Sequence, residues 1–149
     1  MLKKIGLTLI AVLIIIQFIR PDRNTDDGPH PADISNVYAL PDGVHDVLRR
    51  KCYDCHSNNT TYPWYVNIQP VGWWMSWHVS EGKSELNFST FGEYAKDRAD
   101  HKLEEIIEVL EEGAMPLKSY LWMHSDAAIT REESEVIAAW IKSLGVVHP

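Results

Sequence analysis

Cys52, Tyr53, Asp54, Cys55 and His56 place two thiols and an imidazole within one short stretch. On a helix, positions i and i+3 share a face. Two sulfurs so spaced can form thioethers with the two vinyl groups along one porphyrin edge, while the residue that follows swings its imidazole beneath the iron. C-x-x-C-H is accordingly the attachment pattern of c-type haem. Three other chemistries compete for these residues. A thioredoxin-like redox pair needs a strand–helix–strand context. A structural zinc needs two further ligands, and no two histidines here have the spacing that usually supplies them. A plain disulfide would leave His56 without a task. Covalent haem uses all three groups at once.

An iron held by His56 has a second axial position to fill from elsewhere. Met115 follows Gly113 and precedes Pro116, whose ring restricts the backbone before it to extended conformations and so can hold a thioether toward a haem face. A thioether opposite histidine stabilises ferrous iron and raises the potential, as in electron-transfer cytochromes c. Gap-filling in a core is the ordinary fate of a methionine, but the Gly-Ala-Met-Pro-Leu setting between two helical segments singles Met115 out. Met123, His124, His78, Met75 and His101 are its rivals. A second histidine would lower the potential, and an empty sixth position would suit ligand sensing or peroxide chemistry. The aromatics Tyr62, Trp64, Tyr65, Trp73, Trp74, Trp77, Tyr120 and Trp122 are available as dry walls for a macrocycle. Arg49, Arg50 and Lys51 crowd the segment before Cys52, and most simply form a solvated face. Glu104, Glu105, Glu108, Glu111 and Glu112 offer a surface to a basic partner, with the last two opposing a helix dipole.

The elements that must position these groups read as helices. Asp42 can cap a helix carrying Val44, Val47 and Leu48 on one face and running into Cys52. Pro70 is suited to start another through Trp73, Trp74, Trp77 and His78. Thr90 with Glu93, and Thr130 with Glu133, have capping-box spacing. Leu103, Ile106, Ile107 and Leu110 form an i, i+3, i+4, i+7 stripe that stops at Gly113. Val136, Ile137, Trp140, Ile141 and Leu144 form another before Gly145. Strand-like alternation is confined to Tyr65–Ile68, and no repeat is evident. The expected fold class is all-α.

Ahead of these helices, Lys3 and Lys4 precede an apolar run from Ile5 to Ile19 with the character of an export signal. The bulky and charged residues Gln17 to Pro21 argue against cleavage. Eighteen helical residues from Leu2 to Ile19 would span about 27 Å, close to a hydrocarbon core of about 30 Å. The apolar residues occupy every face rather than a stripe, which disfavours a buried core helix. The sequence thus predicts an N-terminal transmembrane helix over residues 1–20, a polar, proline-bearing linker over 21–40 and a haem-binding domain over 41–149. Lys3 and Lys4 nearly balance Arg20 and Arg23 across the span. Haem is attached to such motifs outside the cytoplasmic membrane, which breaks the tie in favour of an external domain.

Composition sets the outer bounds. The chain has 149 residues, 45% hydrophobic and 23% charged, which suits one globular domain with an appendage and excludes a wholly disordered chain. Two cysteines are too few for a disulfide scaffold. The net charge is −7, and all 21 acids lie beyond residue 20 whereas Lys3, Lys4 and Arg20 do not, so nucleic acid is not the expected partner.

The sequence resembles the bacterial haem-binding-domain family, small exported proteins with one C-x-x-C-H in a cytochrome-c-like domain. The resemblance runs from about Asp33 to Trp140. It is carried by Cys-Tyr-Asp-Cys-His-Ser-Asn at 52–58, Tyr-Pro-Trp-Tyr at 62–65, Gln-Pro-Val-Gly-Trp-Trp at 69–74, His78, Leu-Asn-Phe-Ser at 86–89, and Gly113, Met115, Pro116 and Tyr120. It implies His56 as proximal ligand, Met115 as the matching methionine and one covalent haem c per chain. The resulting expectation is a membrane-tethered, monohaem c-type cytochrome passing single electrons between redox proteins in the periplasm or membrane, with no catalytic residue. The alternative is a haem sensor or peroxidase-like enzyme with an open or histidine distal site.

Overall fold

Three apolar stripes meet in the centre of the molecule and explain its architecture. In this computed structural model, which describes residues 1–146, every regular element is helical. In chain order the α-helices are α1 (Leu2–Ile16), α2 (Ile34–Val37), α3 (Asp42–Lys51), α4 (Tyr53–His56), α5 (Val71–Glu85), α6 (Lys96–Glu111), α7 (Lys118–Leu121) and α8 (Arg131–Ser143). Short 3-10 turns at Trp64–Asn67, Phe88–Glu93 and Ser125–Ala127 join them. Val44, Val47 and Leu48 of α3 pack with Leu103, Ile106 and Ile107 of α6 and Ile137, Trp140 and Ile141 of α8. Each such side chain, once fully buried, contributes about 1.5–3 kcal/mol. Phe88 and Phe91 close the core from the 3-10 turn, and Ile34 of α2 is completely buried there.

The ends of these helices follow from particular residues. Gly113 (φ 63°) and Gly145 (φ 70°) adopt the left-handed backbone that stops α6 and the last helical turn after α8. Thr130 accepts from the Glu133 backbone N–H while the Glu133 carboxylate accepts from Thr130 N–H, a complete capping box for α8. The pair Thr90 and Glu93 behaves differently. Asn87 caps the 3-10 turn in which Thr90 lies, and α6 starts only at Lys96. Pro41 rather than Asp42 is the N-cap of α3. The alternating stretch Tyr65–Ile68 belongs to a 3-10 turn and its exit, because Pro63 and Pro70 bracket a segment too short to pair.

The N-terminal segment corrects two expectations. α1 ends at Ile16, and its 15 residues rise about 22 Å, short of the roughly 30 Å of a hydrocarbon core. No helix among the described residues is long and apolar enough to cross a membrane. The predicted transmembrane helix is therefore not formed, and the single-pass membrane localisation built on it falls with it. The domain captures the chain before the apolar run is complete. The Gln17 side chain donates to Gln69 O (3.1 Å) and accepts from Gln69 N (2.8 Å), and Trp73 Nε1 donates to Ile19 O (2.8 Å). The polar stretch that follows also lies on the domain. Asn24 donates to Ser57 O (2.8 Å) and Thr60 Oγ1 (2.9 Å), and its backbone N–H donates to Tyr62 Oη (2.9 Å).

Candidate functional site

The backbone breaks between α3 and α4 at Cys52 (φ −121°, ψ −38°), which serves as the N-cap of the next turn. Cys52 O then accepts from Cys55 N (3.2 Å) and His56 N (3.0 Å), so the motif is wound into one helical turn. Both cysteines are half-buried and free. Burial pushes the Cys52 thiol up to about 12, with the Cys55 sulfur adding to it; burial and then Asp54 push Cys55 up to about 11. Both sulfurs are neutral thiols at pH 7.

His56 is oriented by α5. Its Nδ1–H donates to the Leu86 carbonyl (3.0 Å), which leaves the Nε2 lone pair as the free donor. Burial lowers its pKa below 6.5, against the opposing pull of backbone groups at Leu86 and Gly82. The imidazole is thereby kept neutral and able to ligate. α5 approaches α4 closely because position 82 is glycine. A Cβ there would lie 2.7 Å from Cys55 O and 3.3 Å from Cys55 Cβ. Phe88 meets His56 edge-on (6.3 Å between centroids) and stacks on Tyr53 (5.1 Å), whose hydroxyl donates to Asp33 (3.0 Å). Burial, then the Asp33 charge, raise the Tyr53 pKa, so that hydroxyl stays protonated.

Cys52, Cys55, His56 and Met115 all line a single cavity of about 620 Å³. Trp74, Met75, Trp77 and His78 of α5 form one wall. Ile106 and Val109 of α6, with Met115, Pro116, Leu117 and Tyr120, form another. The structure thus brings together all four residues named from the sequence, with Met115 36% exposed at the mouth. Of its rivals, Met75 and His78 line the cavity, while Met123, His124 and His101 do not. His101 pairs with Glu105 one turn along α6, and His124 bonds to Tyr65. The His78 ring lies against Trp74 and Trp77 (4.5 and 4.7 Å), and its Nε2 is covered and without a hydrogen-bond partner.

Of the eight aromatics with wall potential, Trp74, Trp77 and Tyr120 face the cavity. Trp64 and Trp122 are exposed, and Trp73 and Tyr62 bind the N-terminal segment. Lys51 is no surface charge. Only 5% of its side chain is exposed, and it donates to Glu133 (2.6 Å) and to Ala128 O (2.5 Å), joining α3 to α8 behind the cysteines. Glu105, Glu108 and Glu112 lie at the cavity with Glu81 and Glu85, whereas Glu104 and Glu111 do not. Gly82, the Leu86 carbonyl and the pairing of Lys51 with Glu133 escaped the sequence reading. A glycine inside a helical pattern is a signal for close packing, but nothing in its spacing names the partner.

Residues 11–143 match the family model described as a haem-binding domain. The chain belongs to the haem-binding domain family. No curated protein and no solved structure matches it. The residues of this haem-binding domain fit the cofactor. The cavity lies within the range of about 300–1,000 Å³ typical of cofactor sites. It offers a neutral imidazole with a fixed tautomer, a thioether and two thiols, set among tryptophan, isoleucine, valine and leucine walls. Soft sulfur and imidazole donors in a largely apolar pocket suit iron in a porphyrin. Bound haem would supply a one-electron iron couple.

Proposed function

We propose that this haem-binding domain is a monohaem c-type cytochrome that passes single electrons between redox proteins. Cys52 and Cys55 would carry the porphyrin as thioethers, with His56 Nε2 and the Met115 sulfur as axial ligands. The observation that carries the reading is the His56 Nδ1–H bond to Leu86 O inside the cavity shared with both cysteines and Met115. It leaves the imidazole with one role open to it, donation from Nε2. The apolar residues of the walls would shield bound haem from water and so help set its potential, and the carboxylates at the cavity would face a partner with basic groups.

A histidine distal site is disfavoured by the covered Nε2 of His78, which would have to turn out from between two tryptophans to reach a metal. Absorption spectroscopy of the oxidised protein tests the ligand assignment. The reading expects the weak long-wavelength band of a sulfur–iron bond, lost in Met115→Ala. A high-spin spectrum with rapid carbon monoxide binding to the reduced form would replace it with the sensor or peroxidase-like alternative.

A further inference from the structure

Met115 stands on a segment that the core holds only weakly. The chain leaves α6 through Gly113 (φ 63°), and from residue 115 to residue 128 Ala127 alone is buried, while Leu117, Tyr120 and Leu121 are half-buried. Apolar burial, the usual anchor of a segment, is therefore small here. Among the described residues, three hydrogen bonds tie residues 115–128 to the rest of the molecule. Tyr120 Oη donates to Asp54 Oδ2 (3.2 Å), the Tyr65 hydroxyl meets His124 Nε2 (2.5 Å), and Lys51 Nζ donates to Ala128 O (2.5 Å). The last two lie toward the far end of the segment. The Tyr120 bond is the nearest to Met115, and it ends between the two cysteines.

Both partners of that bond are prepared for it. The other oxygen of the Asp54 carboxylate accepts from Thr61 N (2.9 Å), which fixes the group and leaves Oδ2 for the phenol. The Tyr120 ring lines the cavity and stacks on His124, with centroids 4.4 Å apart and planes 17° from parallel. Burial, then the Asp54 charge, raise the Tyr120 pKa, so its hydroxyl keeps the proton it donates. From Tyr120 the chain returns to Met115 through the turn of α7, closed by Tyr120 N donating to Leu117 O (2.9 Å), and through Pro116, whose ring fixes one backbone angle. A shift of Tyr120 is thereby passed on to Met115.

We infer that Tyr120 is a positioning residue for the Met115 ligand, its hydrogen bond to Asp54 latching the ligand segment to the C-x-x-C-H turn. The inference rests on the reading of Met115 as an axial ligand. One short motif then sets both sides of the cofactor: its cysteines and histidine hold the porphyrin, and Asp54 between them holds the segment that brings the thioether. Opening the latch frees the thioether to leave and exposes the sixth position to small ligands.

The test uses full-length, haem-loaded protein. The oxidised wild type should show the sulfur–iron band; its absence would remove Met115 as a ligand and this inference with it. Tyr120→Phe keeps the ring and removes only the hydroxyl. The band should weaken, and carbon monoxide should bind the reduced form about ten- to a hundredfold faster, the factor by which a hydrogen bond to a charged acceptor favours the closed segment. Asp54→Ala should match it, Asp54→Asn, which keeps an acceptor, should stay near the wild type, and the double variant Tyr120→Phe/Asp54→Ala should be no faster than either single one. A Tyr120→Phe protein with the band and carbon monoxide rate of the wild type, or effects of the two substitutions that simply add, would overturn the latch while leaving Met115 as ligand.

Discussion

Replacing Gly82 with alanine tests the closest approach in the site. The new methyl would lie 2.7 Å from the Cys55 carbonyl oxygen and 3.3 Å from both its carbonyl carbon and Cβ. Carbon atoms in contact rest about 3.5–4.0 Å apart, so α5 has to withdraw from α4 by roughly half an ångström. Alanine gains about 1 kcal/mol over glycine inside a helix, while overpacking of this kind costs about 1–3 kcal/mol. The withdrawal also stretches the His56 Nδ1–Leu86 O bond from 3.0 Å toward the limit of hydrogen bonding, a further loss of about 1 kcal/mol. The net expectation is a destabilisation of about 1–3 kcal/mol, or a fall in Tm of roughly 3–10 °C at this chain length. Gly43→Ala is the control. It lies in α3 with nothing within 4 Å of the added carbon, so propensity acts alone and stabilises by about 0.4–1 kcal/mol. Thermal unfolding of haem-loaded protein, followed by circular dichroism, reads both. Freed from the Leu86 carbonyl, His56 becomes a weaker donor and the reduction potential of Gly82→Ala moves upward. If Gly82→Ala were as stable as Gly43→Ala with an unchanged potential, the clamp by α5 would be refuted.

Four further outcomes follow from the packing, the charges and the proposed ligand. Phe88→Ala, which removes a fully buried ring lying against both Tyr53 and His56, should cost about 3–5 kcal/mol in chemical denaturation. Glu133 is raised by burial but held below 4.5 overall by Lys51 and the Thr130 N–H. Its contribution is therefore complete above pH 4.5 and is lost as pH falls through the lowered folded-state value, a loss that Glu133→Gln should remove from the stability–pH profile. At pH 7, Glu133→Ala leaves Lys51 with only the Ala128 carbonyl and should cost about 2–3 kcal/mol in the same measurement. Met115→Ala should preserve haem attachment while lowering the potential, since the thioether that favours ferrous iron is gone; a potentiometric titration checks the direction.

The local geometry was legible in the sequence wherever a short spacing carries it. The C-x-x-C-H turn winds as its spacing implies, and the stripes on α3, α6 and α8 form the core that was read from them. Gly113 and Gly145 stop their helices because only positive φ serves there. What failed depended on distant partners. The apolar run from Ile5 to Ile19 reads as a membrane span until Gln69 and Trp73, more than fifty residues away, take hydrogen bonds at Gln17 and Ile19 and end the helix early. Thr90 and Glu93 have capping-box spacing, but Asn87 caps a 3-10 turn ahead of them. Lys51 reads as one of three surface cations until α8 presents Glu133 to it. Local patterns record local geometry, and the clamp on His56 is made by a backbone carbonyl that no residue type announces.

Intact mass spectrometry of the denatured, full-length holoprotein is the most direct measurement of whether the cysteines carry the cofactor. The account predicts a chain heavier by one haem that survives unfolding and acidic organic extraction, with a single thioether remaining in Cys52→Ala or Cys55→Ala and none in the double variant. An unmodified chain mass, with all haem passing into the organic phase, would contradict it.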